Sequence, residues 1–191
     1  LAVERSMVNN AFTYGWTQGI ELGWNNDDLK LTAQYTDGPK QFNTALSPNS
    51  TNAWNVRGEM KFGDASWKEL GSFTSMKGGG SGLLLGFAYQ DYDRSGSTFE
   101  YGNAIASSSN GWTIDATLRG DGWNIFGYVV RATGSNAGIE QKSSGWVLQG
   151  GFMISDNSEL FAQYQKGSIN NAVFAGASDE MSAIRFGINN W

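Results

Sequence analysis

The sequence predicts an all-β chain, an antiparallel transmembrane β-barrel, on three observations: two-residue alternation of apolar and polar side chains, connections sorted by length, and aromatics gathered at strand ends. Helical periodicity is almost absent. Ile20, Leu22 and Trp24 share one face, with Glu21 and Gly23 on the other. After the polar turn at 25–28, Leu29, Leu31, Ala33 and Tyr35 alternate with Lys30, Thr32 and Gln34, which reads as a hairpin. Residues 53–63 alternate most clearly: Trp54, Val56, Gly58, Met60 and Phe62 against Asn55, Arg57, Glu59 and Lys61.

Further along, Leu83, Leu85, Phe87 and Tyr89 oppose Gly82, Leu84, Gly86, Ala88 and Gln90. Trp112, Ile114, Ala116 and Leu118 oppose Thr113, Asp115, Thr117 and Arg119. Residues 123–131 follow a Gly120-Asp121-Gly122 turn and are apolar on both faces, so alternation leaves their orientation open. Trp146, Leu148, Phe152 and Ile154 then face away from Gln149, and Leu160, Ala162 and Tyr164 away from Gln163 and Gln165. A last strand sets Ile184, Phe186 and Ile188 opposite Arg185 and Asn189. Nine strands result, each near the length a tilted strand needs to cross a bilayer.

Short turns are expected at 25–28, 120–122 and 155–158, and long loops at 37–52, 91–111, 132–145 and 167–180. The two kinds alternate, as in outer-membrane barrels, apart from a mid-length link at 64–81 that stands in a short-turn slot. That link holds Trp67-Lys68-Glu69-Leu70, one candidate helical turn. Trp54, Trp112 and Trp146 open strands that follow long loops, and Tyr35, Tyr89 and Tyr164 close strands that enter them. Trp24, Phe62 and Trp123 lie at the opposite strand ends. Two aromatic belts a strand length apart are what amphipathic rings at headgroup level produce. The alternative is a set of core aromatics in a soluble sheet, which need not gather at strand ends.

Composition agrees. The chain has 26 Gly and 8 Trp against 2 Pro and only 16% charged residues, too little charge to solvate an ordinary globular surface. A mean hydropathy of -0.38 is compatible with strands that face lipid on one side only. Without Cys or His, disulfides, thiolate zinc sites and imidazole catalysis are excluded. No cofactor is expected, and a net charge of -5 argues against a nucleic-acid partner. The sequence opens at Leu1 with no leader, and a mature or internal piece is the expectation.

The face opposite the apolar one carries Glu21, Lys30, Arg57, Glu59, Lys61, Asp115, Arg119 and Arg185. Such charges must line water or pair with one another, because each would cost several kcal/mol in lipid. Lys30, Arg57, Lys61, Arg119 and Arg185 outnumber the three carboxylates and form the candidate pore-lining set, a composition that favours small anions. Trp24, Trp54, Trp112, Trp123 and Trp146 are the candidate membrane-interface set. Structural ion pairing is the plainer role for the same charges. Asp91–Gly96 has half the pattern of a calcium loop, but Gly102 stands where its bidentate Glu belongs. Asn49-Ser50-Thr51 is a sequon with little meaning in a bacterial chain. Gly78–Gly82 lacks the spacing of a phosphate-binding loop and reads as a flexible connector.

Glu4–Thr13 followed by Thr17-Gln18-Gly19, the link Trp67–Leu70 with Phe73-Thr74-Ser75, and the stretches Val147–Phe152 and Glu159–Tyr164 together resemble the phosphate-selective porin family in its planctomycete-like branch. The resemblance implies a homotrimeric, sixteen-stranded barrel in a bacterial outer membrane that passes small anions by diffusion and has no enzymatic activity. A clustered ladder of Lys and Arg associated with phosphate selection is not visible. Nine strands and an inward register for Trp191 lead to the expectation of a piece of a longer barrel, lacking strands at the start and the end. Three rivals stand beside the porin. One is a structural or adhesive barrel with a plugged lumen, another a soluble β-rich virion or surface protein. The third is an outer-membrane enzyme built on a Ser or a carboxylate pair, for which no hydrolase motif is present.

Overall fold

The computed structural model describes residue 8 and residues 19–36, 52–93, 99–100, 103–104, 108–136, 139–171 and 177–191. The strands are β1 (Gly19–Asn25), β2 (Leu29–Thr36), β3 (Ala53–Gly63), β4 (Gly82–Asp93), β5 (Phe99–Glu100), β6 (Asn103–Ala104), β7 (Ser108–Gly120), β8 (Trp123–Asn136), β9 (Ile139–Met153), β10 (Ser158–Asn171) and β11 (Ala177–Asn190). A single helical turn, α1 (Trp67–Leu70), lies between β3 and β4. Nine strands form one antiparallel sheet in the order β1-β2-β3-β4-β7-β8-β9-β10-β11, and β5 and β6 make a separate short hairpin. Each sheet strand pairs with the next one in the chain, so this is an up-and-down meander. It is not closed: no described pairing joins β1 to β11.

The two faces of this sheet are inverted relative to a water-soluble protein. Ile20, Leu22, Met60, Phe87, Ile114, Leu148, Phe186 and Ile188 are exposed, Phe186 to 83%. The buried strand residues include Asp115, Thr117, Arg119, Asn124, Gln149, Glu159, Gln163 and Gln165, beside the apolar Leu84, Val147, Met153 and Phe161. Scattered exposed apolar residues are ordinary, but a contiguous apolar face over a buried polar one is the informative combination.

The strands cross the apolar band at a slant. Cross-strand pairing sets Trp54 of β3 level with Asn110 of β7 and, through Thr133, with Lys142 of β9. Trp112 and Trp146 therefore lie two and four residues further along their strands. Taking Trp54, Trp112 and Trp146 as one edge of the band, four residues at about 3.3 Å each over four strand spacings of about 4.8 Å give a slant of about 35°. On β3 the band runs from Trp54 to Phe62, eight residue steps or about 26 Å, which is about 22 Å when measured across that slant.

Three expectations about the connections change. The 132–145 region is not a loop: β8 continues to Asn136 and pairs with β9 from Ile139. The 167–180 region is likewise mostly strand, with β10 and β11 paired from Asn171↔Ala177 onward. β4 and β7 also run into the 91–111 region, where Asp93 pairs with Ser108. These extensions are rich in Ser, Asn and Gly, which imitates a loop in the sequence, yet backbone pairing needs no apolar side chain. The short turns fall as expected at 26–28, 121–122 and 154–157. Residues 37–51, the sequon at 49–51, positions 94–96 of the calcium-like stretch and the opening stretch at 4–7 and 9–18 lie outside the described residues.

Candidate pore-lining face

On the polar face, the half built by β1–β7 is a charged ladder. Gln34 donates to the Glu21 carboxylate, and Asn55 donates to Gln34 at 3.3 Å. The Arg57 guanidinium donates from Nη1 and Nη2 to both Asp115 oxygens, at 2.7 and 2.9 Å, and from Nη2 to Glu59 at 3.0 Å. Lys30 faces Glu59 from the other side at 3.6 Å. A bidentate arginine–carboxylate pair is among the strongest side-chain contacts available. Here it joins β3 to β7 across β4, and Gly86 of β4 makes it possible. A Cβ at residue 86 would sit 2.5 Å from Arg57 Nη2 and from Asp115 Oδ1.

The other half is neutral at its centre. Gln163 donates to Gln149 at 2.9 Å and Gln165 to Gln163 at 3.3 Å, while the Val8 amide approaches Gln165 Oε1 at 3.4 Å. Towards the short turns, the buried Glu159 carboxylate accepts from Thr74 at 3.0 Å, from Asn189 at 3.0 Å and from Asn124 at 3.3 Å. A buried charge is tolerable when it is surrounded by donors in this way.

The link at 64–81 is seated on this same face. Ser66 caps α1 reciprocally with Glu69: Glu69 N donates to Ser66 Oγ, and Ser66 N donates to the Glu69 carboxylate. These bonds from Ser66 hold the Glu69 carboxyl down at about 2, assisted by the Gly80 amide and by the charge of Arg119. Ala65 and Leu70 pack with Leu84 in a small apolar cluster flanked by Trp67. Phe73 meets Phe126 edge-on at 5.2 Å. Ser75 Oγ donates to the Gly120 carbonyl at 2.6 Å, and Arg119 donates to the Glu69 carbonyl.

Of the five candidate pore cations, Lys30 and Arg57 come together in one cluster with Glu59 and Asp115. Lys61 faces Asp28 of the β1–β2 turn at 3.7 Å. Arg119 is buried beneath the link, and Arg185 lies on β11 level with Gln163. Among the interface candidates, Trp54 and Tyr89 meet at a tilt with centroids 5.3 Å apart, and Trp146 and Tyr164 meet edge-on at 5.1 Å. Trp112 is level with Tyr89, and Trp24 and Trp123 are exposed on the same face. The Glu159 hub and its partners Thr74, Asn124 and Asn189 were not among the sequence candidates. The available signal was Glu159 itself, which alternates in phase with Gln163 and Gln165.

The geometry defines a class: an open antiparallel meander with one exposed apolar face and one largely buried polar face. Neither a protein-family model, nor a curated protein, nor a solved structure matches this chain.

Proposed function

We propose that this chain forms the wall of an outer-membrane porin, a transmembrane β-barrel whose water-filled lumen passes small polar solutes by diffusion. One observation carries the reading: the buried face is polar, the exposed face is apolar, and the apolar band has bilayer dimensions. Its slant of about 35° and height of about 22 Å match the 35–45° tilt and roughly 25 Å band of outer-membrane barrels. Lipid would cover that band, with the tryptophans at its two edges. The phosphate-selective porins that the sequence resembles supply the expectation of a trimer.

Selectivity follows from the polar face. Lys30 and Arg57 are balanced by Glu59 and Asp115; among the other strand residues of that face Lys61, Arg119 and Arg185 exceed Glu21 and Glu159 by one, with Lys61 also facing Asp28 and Arg119 also neighbouring Glu69. That surplus supports a weak preference for anions. Planar-bilayer recording tests the function. Discrete conductance steps with a reversal potential slightly on the anion side are expected, and a protein that inserts without conducting would sink the porin. A second reading, a structural barrel with a plugged lumen, draws on the link seated on the polar face and predicts that silent outcome.

A further inference from the structure

We propose, resting on the channel reading, that residues 64–81 are the constriction that sets the size limit of this pore, entering from the short-turn end. The link touches the β1–β2 turn at one side, where Trp67 Nε1 donates to the Asn26 carbonyl at 3.3 Å. At the other it reaches β10, where Thr74 donates to Glu159 at 3.0 Å. It therefore crosses the polar face over most of the width of the sheet.

It is built to stay there. Ser75 is fully buried on the Gly120 carbonyl, the Gly78 amide donates to Asp121 at 2.7 Å, and Lys77 faces Asp156 at 3.3 Å. The polar face itself is shaped for it. That face also carries apolar side chains such as Val147, Met153 and Phe161, and two others pack against the link, Leu84 on Leu70 and Phe126 on Phe73. A short periplasmic-type turn would leave both exposed to water in the lumen. Phe73, Met76 and Lys77 remain exposed on the seated link, and these are the side chains a passing solute would meet.

Two measurements test this on the full chain. Replacing residues 72–79 by two glycines, which keeps α1 and its packing on Leu84, is expected to raise single-channel conductance roughly twofold and to admit larger neutral sugars. The chain has no cysteine, so Met76→Cys gives a single reactive thiol on an otherwise native framework. Attachment of a bulky cationic or anionic thiol reagent there is expected to lower the conductance and shift ion preference with the sign of the reagent, whereas the same reagents on Asp27→Cys, exposed in the β1–β2 turn, leave both unchanged. Unaltered conductance and ion preference in the modified Met76→Cys channel overturn the constriction while the channel reading stands. A parent protein without channels overturns both. The cysteine arm decides the matter even where the shortened chain does not fold.

Discussion

Phe87 offers the sharpest test of what covers the apolar face. It lies within one residue of the middle of the band on β4, between Gly58 and Ile114, and is 49% exposed. In water, lysine at such a position is nearly free, within about 0.5 kcal/mol of neutral, because the ammonium stays hydrated. At the midplane of a bilayer the same lysine costs about 2–4 kcal/mol, a factor of roughly 30 to 1000 in the folding equilibrium. Phe87→Ala, measured alongside, removes the contribution of the lost ring. The assay is reversible urea unfolding in phospholipid vesicles, followed by tryptophan fluorescence, with the two variants compared. Ser144→Lys, on the same face one rung beyond Trp146, serves as the rim control and is expected to cost no more than about 1 kcal/mol. A Phe87→Lys variant as stable as Phe87→Ala refutes the lipid-facing assignment, and with it the barrel.

Three further outcomes follow from the polar face and the turns. Arg57→Gln leaves Asp115 and Glu59 short of their shared cation, so stability is expected to fall by about 1–3 kcal/mol in urea unfolding. Its reversal potential is expected to move towards cations. Gly122 has φ +74 in the β7–β8 turn, and a Cβ there would lie 3.2 Å from Lys77 Cγ. Gly122→Ala is therefore expected to cost about 1–2 kcal/mol, read as a lower unfolding midpoint. The Glu69 carboxyl is held at about 2 against an ordinary 4.5, so its stabilising effect is full above pH 4.5, declines as pH falls, and is gone below about 2. Hydrogen exchange of the α1 amides in native protein and Glu69→Gln is expected to differ above pH 4.5 and to converge near pH 2.

How much was legible depends on what each strand packs against. β3 and β7 alternate cleanly because one face meets open solvent or lipid and the other meets charges, so Trp54, Arg57, Asp115 and Trp112 could all be placed from spacing alone. β8 could not be oriented because the polar face turns apolar there. Phe126 points inward to meet Phe73, a residue fifty-three positions earlier in the chain. Period-two patterning registers polarity, not the identity of the covering element, so a strand beneath an inward segment loses its signal. The extended ends of β8–β11 were missed for another reason. Their Ser, Asn and Gly side chains match loop composition, while the pairing that makes them strands is a property of the backbone.

The same contrast explains two of the apolar residues on the polar face. Leu84 and Phe126 are on the polar side, where an exposed hydrophobic side chain gains nothing from water. Both pack against the link, Leu84 through Leu70 and Phe126 through Phe73. Burying such a side chain is worth about 1.5–3 kcal/mol, more than most solvent-exposed ion pairs return. Charges such as Arg57 and Asp115 therefore brace β3 against β7 across β4, while the apolar pairs hold the link in place. That division of labour makes the link separable in principle: weakening its apolar seat should loosen the link and leave the ladder between β3 and β7 intact.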